Sequence, residues 1–135
     1  MLQAVGGDLK LRNMLMGAIK RVWHRHPTRL QLLATDAVRI PVYKKDGTRS
    51  KKDAVFHICE GCHTMAKGGK SKKFPTIVVD HIDPVVPIEG GISWSEFIQR
   101  VFCDPDNLQK LCTPCHAAKS KLENQLRRQY KKDHP

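Results

Sequence analysis

The amino-acid sequence predicts a single α+β domain, with helices toward both ends, short strands between them, and two cysteine pairs placed to staple the middle of the chain. Three observations carry this reading. Apolar residues recur at helical spacing over residues 8–26, strand-like runs (VRIPVY, AVFHI, FPTIVV) follow, and CEGC at 59–62 and CTPC at 112–115 repeat one C-x-x-C spacing. At 135 residues the chain is long enough for one domain with a modest core. It has no internal repeat and no linker that would divide it. The expected layout is a helical N-terminal region over 1–37, a cysteine-stapled core over 38–125 and a basic tail over 126–135.

The first helix is expected over residues 8–26. Asp8 can cap it, Leu11, Leu15, Ala18 and Val22 form an apolar stripe that Ile19 and Trp23 widen, and Pro27 stops it. Leu30, Leu33 and Ala34 suggest a shorter helix over 28–36. Both stripes read as core-facing surfaces. Residues 38–58 read as a hairpin in which VRIPVY and AVFHI flank KKDGTRSKK, where Asp46-Gly47 is the turn signal. KGGKSKK at 67–73 is a glycine-bearing basic loop, and FPTIVV is the next strand. PIEGGIS is a loop in which Glu89 reads as a surface residue. SWSEFIQRVF at 93–102 looks like a helix, with Ser93 and Glu96 forming a capping box. CDPDN at 103–107 is a turn, Leu108 to Leu111 leads into the second cysteine pair, and a basic helix is expected from Thr113 to Tyr130, before a frayed tail, KKDHP.

The net charge of +11 points to a polyanionic partner, and its distribution sharpens the point. Residues 74–118 hold two basic groups, Arg100 and Lys110, against six acidic ones, whereas residues 1–73 carry a net +11 and residues 119–135 a net +4. A mildly acidic segment thus lies between basic flanks, which suits contact with DNA or RNA. No apolar run approaches the ~20 residues of a membrane-spanning helix. MLQAVGGDLK lacks the basic start and sustained apolar stretch of a secretory signal, so a cytoplasmic location is expected.

In such a compartment Cys59, Cys62, Cys112 and Cys115 read as a zinc site before they read as disulfides. Each C-x-x-C turn offers two thiolates to one tetrahedron, and two turns close a structural four-cysteine shell. A redox dithiol would explain one pair and not both. Cys103, left over beside Phe102, reads as a small buried apolar residue.

The stretch VVDHIDPVVP at 78–87 places a carboxylate and an imidazole side by side at the end of an apolar run. Successive side chains of a strand point to opposite faces, so a regular strand would separate Asp80 from His81. The DHI at 80–82, Asn107 in NLQKLC and CHAAK at 115–119, flanked by the two cysteine pairs, resemble the HNH nuclease family, and the first helix, the hairpin and WSEFIQRVFCDPDNLQ look like those of its phage-type members. The resemblance covers about residues 9–125. It implies a ββα-metal unit, two antiparallel strands and a helix gripping one divalent ion, and a DNA endonuclease of phage or mobile-element origin that could work beside a packaging terminase.

Phosphodiester hydrolysis needs an activated water, a cation on the scissile phosphate and help for the leaving oxygen. Asp80 and His81 offer a hard oxygen ligand and a base that is neutral near physiological pH. If the strand bends here, as Asp83-Pro84 suggests, both can face one cavity, with Asp80 on the metal and His81 aimed at water. The resemblance assigns His81 as general base, His116 as the second protein ligand of a catalytic Mg2+, Mn2+ or Ni2+ ion, and Asn107 as the residue bracing the backbone beneath the site. Where some members carry a further metal-binding His, this chain has Ser120. Asp83 is an alternative ligand to Asp80, and His63 an alternative zinc ligand. His24, His26, His57 and His134 read as surface or packing groups. The expected phosphate contacts are Lys44, Lys45, Arg49, Lys51 and Lys52 at the hairpin tip, Lys70, Lys72 and Lys73 in the following loop, and Lys119. The competing functions are a non-catalytic zinc module that binds nucleic acid, which has no use for Asp80, His81 and His116, and a nuclease acting on RNA.

Overall fold

Asp8 accepts hydrogen bonds from the backbone N–H groups of Lys10 (2.9 Å) and Leu11 (3.2 Å) and so opens helix α1, Leu9–His24. The computed structural model describes residues 8–135. The helix turns inward only the Ile19–Trp23 edge of the stripe its spacing suggested. Trp23 is buried, Met16 and Ile19 pack against the same core cluster, and Leu11, Leu15 and Val22 lie at the surface. The indole sets this rotation: it contacts His26 at 5.7 Å, His81 at 5.2 Å and Phe102 at 5.8 Å between ring centroids, so the largest apolar group takes the inward position. Pro27 lies past the end of α1 and opens α2, Pro27–Ala34, where its missing N–H costs nothing, and His26 caps the new helix through Nδ1.

Strands β1 (Val38–Ile40), β2 (Ala54–Ile58) and β3 (Met65–Lys67) form an antiparallel sheet in that order, with Val38 opposite Phe56 and Phe56 opposite Lys67. The hairpin is present, but β1 is shorter than VRIPVY. Pro41 has no N–H for a ladder, and pairing resumes only at Tyr43 and Arg49, around a turn in which Gly47 takes φ +85°. Strand β3 was not expected. It forms because the turn after Cys59 folds the chain back: Cys59 N–H donates to Thr64 O (3.0 Å) and His63 N–H to Cys59 O (2.9 Å).

Strand β4 (Ile77–His81) pairs antiparallel with β5 (Leu108–Cys112), Asp80 opposite Gln109 and His81 opposite Leu108. Between them come α3, Trp94–Val101, whose N-cap Ser93 accepts from Glu96 N–H (3.1 Å), and a single 3-10 turn at Pro105–Asn107. Strand β5 runs straight into α4, Thr113–Asp133, which packs on both strands. The helix continues through residues expected to fray, because Gln129 bonds Asp133 at i,i+4 and Lys131 and Lys132 sit favourably at its C-terminal end.

Two apolar clusters hold these parts. One contains Trp23, Ile92, Phe97, Val101 and Leu108, and the other Cys59, Ala66, Ile77, Leu111 and Cys112. Within β4, Val79 packs on the first and Val78 on the second. The result is a mixed α+β fold. Among the described residues no helix is long and apolar enough to cross a membrane.

Candidate functional site

The two C-x-x-C turns, more than fifty positions apart in sequence, meet where the β2–β3 turn touches the start of α4. The sulfurs of Cys59, Cys62, Cys112 and Cys115 lie within 4.8 Å of one another, a group able to hold a metal ion such as zinc. Cys62 Sγ and Cys112 Sγ are 3.7 Å apart, close to the ~3.8 Å edge of a tetrahedron with bonds of ~2.3 Å and far beyond a disulfide bond of ~2.05 Å. His63 is not in the group. Three backbone N–H groups point at Cys59 Sγ, from Gly61 (3.3 Å), Cys62 (3.5 Å) and Cys112 (3.3 Å). Burial alone would push the Cys59 thiol up, but these donors outweigh it and bring its pKa down to about 6. Cys62 is lowered by its hydrogen bonds with Thr64. Cys115, sharing protons with Cys112, Cys62 and Cys59, is pushed up to about 12, and burial raises Cys112. The four sulfurs therefore do not ionise independently, and a cation among them would relieve that conflict. Gly61 sits closely against this group: a Cβ there would stand 3.3 Å from Leu111 Cδ2 and 3.4 Å from Cys115 Sγ.

Strand β4 reaches His81 unbroken, in place of the expected bend, so Asp80 and His81 turn to opposite faces. Asp80 is 8 % exposed and faces α4. Its Oδ1 lies 3.5 Å from His116 Nε2, and its Oδ2 lies 3.1 Å from Lys119 Nζ and 2.9 Å from Gln109 Nε2. His81 faces α1 and α3, with its ring on Trp23 and its Nε2 2.8 Å from Val101 O. A carbonyl oxygen only accepts, so Nε2 carries the proton of the neutral ring and Nδ1 is the basic nitrogen. Both residues line one cleft of about 580 Å³, together with His116, Lys119 and Ser120. The cleft lies at the end of β4, which lets groups from both faces of the strand open into it.

Lys119 is partly buried and engaged by protein oxygens. Its ammonium meets Asp80, donates to His81 O (2.9 Å) and pairs with Glu123 Oε1 (2.5 Å). Burial would pull it down, but the hydrogen bonds to Glu123 and Asp80 outweigh that and raise its pKa above an ordinary lysine's. Asn107 clamps the turn after β4. Its Oδ1 accepts from Asp83 N–H (2.9 Å), its Nδ2 donates to Asp83 O (3.4 Å) and its backbone oxygen accepts from Ile82 N–H (2.8 Å). Asp83, the alternative ligand, is mostly exposed and pairs with Arg100 at 3.0 Å.

Lys44, Lys45, Arg49, Lys51 and Lys52 are exposed at the hairpin tip, with Arg49 paired to Asp53 at 3.0 Å, and Lys70, Lys72 and Lys73 are exposed on the next loop. None of them lines the cleft. Three contributors to the site were not foreseen. Gln109 shares Asp80, and its register opposite Asp80 is the only signal the sequence offers once pairing is known. Arg100 bonds Val85 O (2.7 Å) and Pro84 O (2.5 Å), holding the chain beyond Asp83. Lys110 is buried, bonding Thr35 O and lying 3.4 Å from His57 Nδ1. Burial lowers both, and in His57 the Lys110 charge adds to it. Glu60 Oε2 accepts from Lys110 N–H at 2.5 Å, so this network ties the end of α2 to the first cysteine turn.

Comparison of the chain with protein-family models, curated proteins and solved structures finds no match in any of the three.

Proposed function

We propose that this chain is a metal-dependent endonuclease of the HNH kind, hydrolysing phosphodiester bonds of DNA. The observation that carries the reading is the meeting of Asp80 and His116, 3.5 Å apart, where two antiparallel strands join the helix that follows them, with His81 beside them in one cleft. The donor set fits a divalent ion. An oxygen and an imidazole nitrogen this close could serve one ion together, and the mixture of donors suits Mg2+, Mn2+ or Ni2+. Bound there, the ion would supply charge neutralisation of the phosphate and stabilisation of the leaving oxygen.

The protein's own groups do the rest. Asp80 and His116 would hold the ion. His81 Nδ1 takes a proton from the attacking water, and the Nε2–H bond to Val101 O keeps the ring aimed and its tautomer fixed. Asn107 holds the turn that ends β4. The four cysteines would hold a structural zinc that pins the first turn of α4, to which His116 belongs. A second reading, a non-catalytic zinc module that binds nucleic acid, is favoured by one observation: Lys119 already neutralises Asp80.

The test is incubation of supercoiled plasmid with the purified chain and Mg2+, Mn2+ or Ni2+, with an EDTA control. Conversion to nicked or linear DNA that EDTA abolishes, and that Asp80→Ala and His116→Ala each abolish without loss of tightly held zinc, supports the nuclease. Binding of plasmid without any metal-dependent cleavage rejects it in favour of the second reading.

A further inference from the structure

The basic residues of the hairpin tip and of the loop after it lie away from the cleft, yet the cleft has cations of its own. Lys20 of α1, Arg29 of α2 and Arg127 of α4 line it, one from each of three helices that meet around the end of β4. The acids lining it, Asp80 and Glu123, are both engaged by Lys119. Among the described residues, none of the three cations is paired with a carboxylate. Arg29 Nη1 donates to His24 O (3.0 Å), and Arg127 donates through Nη2 to Val86 O (2.8 Å) and through Nη1 to Asn124 Oδ1 (3.2 Å), which orients each guanidinium and leaves part of its five-donor fork for an anion. Burial lowers Arg29, whose desolvation no counter-ion offsets, so an anion arriving there regains what the fold gives up.

We infer that Lys20, Arg29 and Arg127 form the phosphate track of the cleft, gripping the backbone of a DNA strand on either side of the phosphodiester that faces Asp80, His81 and His116. The inference rests on the nuclease reading for the seating of that phosphodiester. A strand lying in the cleft must bring its neighbouring phosphates against the cleft lining, to which the three cations belong. The hairpin tip is left as a peripheral contact.

The experiment measures binding of a fluorescein-labelled DNA duplex to the full zinc-loaded chain in EDTA-free buffer without added catalytic ion, across a potassium chloride series, by anisotropy. Zinc content and thermal midpoint establish that each variant is folded. The variant Lys20→Gln with Arg127→Gln tests the track, and Lys20→Gln alone, an exposed change, serves if the pair misfolds. Arg29→Lys, which keeps charge, completes the set. Each lost phosphate contact lowers the log–log salt slope by ~0.9, so the double variant should lose ~1.8 and suffer about 12-fold less weakening when salt rises fourfold. Neutralising the hairpin tip should change the slope less per residue. The inference is overturned if the double variant and Lys20→Gln keep the wild-type slope, whether or not the plasmid is cut. Cleavage by the wild type together with an unchanged slope rejects the track and leaves the nuclease. A lowered slope without any cleavage by the wild type keeps the track and rejects the nuclease. No binding of DNA by the wild type rejects both.

Discussion

Replacing Lys119 with methionine keeps the aliphatic stem on α4 and removes the ammonium that covers Asp80. That ammonium stands 3.1 Å from Asp80 Oδ2 and 2.5 Å from Glu123 Oε1, and the side chain is 24 % exposed. At 3.1 Å and an effective dielectric of ~20 the gross attraction to Asp80 is ~5 kcal/mol. Desolvation and side-chain ordering cancel most of it, and a partly exposed charged hydrogen bond retains ~1–2 kcal/mol. An ion bound through Asp80 must forfeit that amount, so Lys119→Met should tighten divalent binding by ~5–30-fold. The assay is calorimetric titration of Mn2+, which prefers oxygen to thiolate, into zinc-loaded protein. Removing Lys119 also frees Glu123, which could itself become a ligand. The double variant Lys119→Met with Glu123→Gln separates the two effects and should keep most of the gain. Unchanged or weaker Mn2+ binding by Lys119→Met would refute the competition, and with it the placement of the ion on Asp80.

Cys59→Ser and Cys112→Ser should each lose the tightly held zinc and unfold much of the chain, because both residues are buried and metal binding supplies folding free energy; about one zinc per wild-type chain, by elemental analysis, is the matching result. Gly61→Ala should lower the thermal midpoint at a cost of about 1 kcal/mol, since the added methyl meets Leu111 Cδ2 at 3.3 Å and must push that side chain aside; an unchanged midpoint and zinc affinity would show that the turn relaxes freely. His81→Ala should slow plasmid cleavage by ~10²–10⁴-fold with DNA affinity retained, and it should also lower stability modestly, because the imidazole is packed on Trp23 and bonded to Val101 O; wild-type cleavage by this variant would remove His81 from the base role.

The features legible in the sequence are those decided within a few residues. Asp8 and Ser93 each cap a helix through donors two or three positions ahead, and Asp46-Gly47 turns a hairpin whose arms lie on either side of it. The pairing of the four cysteines was also legible, because the repeated spacing leaves few other uses for the sulfurs. What escaped depends on groups distant in sequence. The inward face of α1 is chosen by Trp23 against His81 and Phe102, not by the stripe Leu11, Leu15 and Val22. Strand β3 is three residues long and exists because a cysteine turn presses it onto β2. Lys119 reads as a phosphate contact and Lys110 only as a charge in the acidic segment, and each is held by oxygens from elements it does not neighbour in the chain. The separation of Asp80 from His81 was deducible from strand alternation, and an appealing motif argued it away.

Cys115 and His116 are consecutive residues on the first turn of α4, and Cys112 ends the strand whose register places Gln109 against Asp80. The two proposed ion sites consequently share one rigid piece of backbone. In thermodynamic terms they are linked: whatever free energy occupancy of the sulfur site contributes to holding His116 at Asp80 must appear, with the same magnitude and sign, as a tightening of the sulfur site when the cleft is loaded. Coupling of this kind amounts to ~1–3 kcal/mol in other proteins, enough for scarcity of one metal in the cell to govern retention of the other.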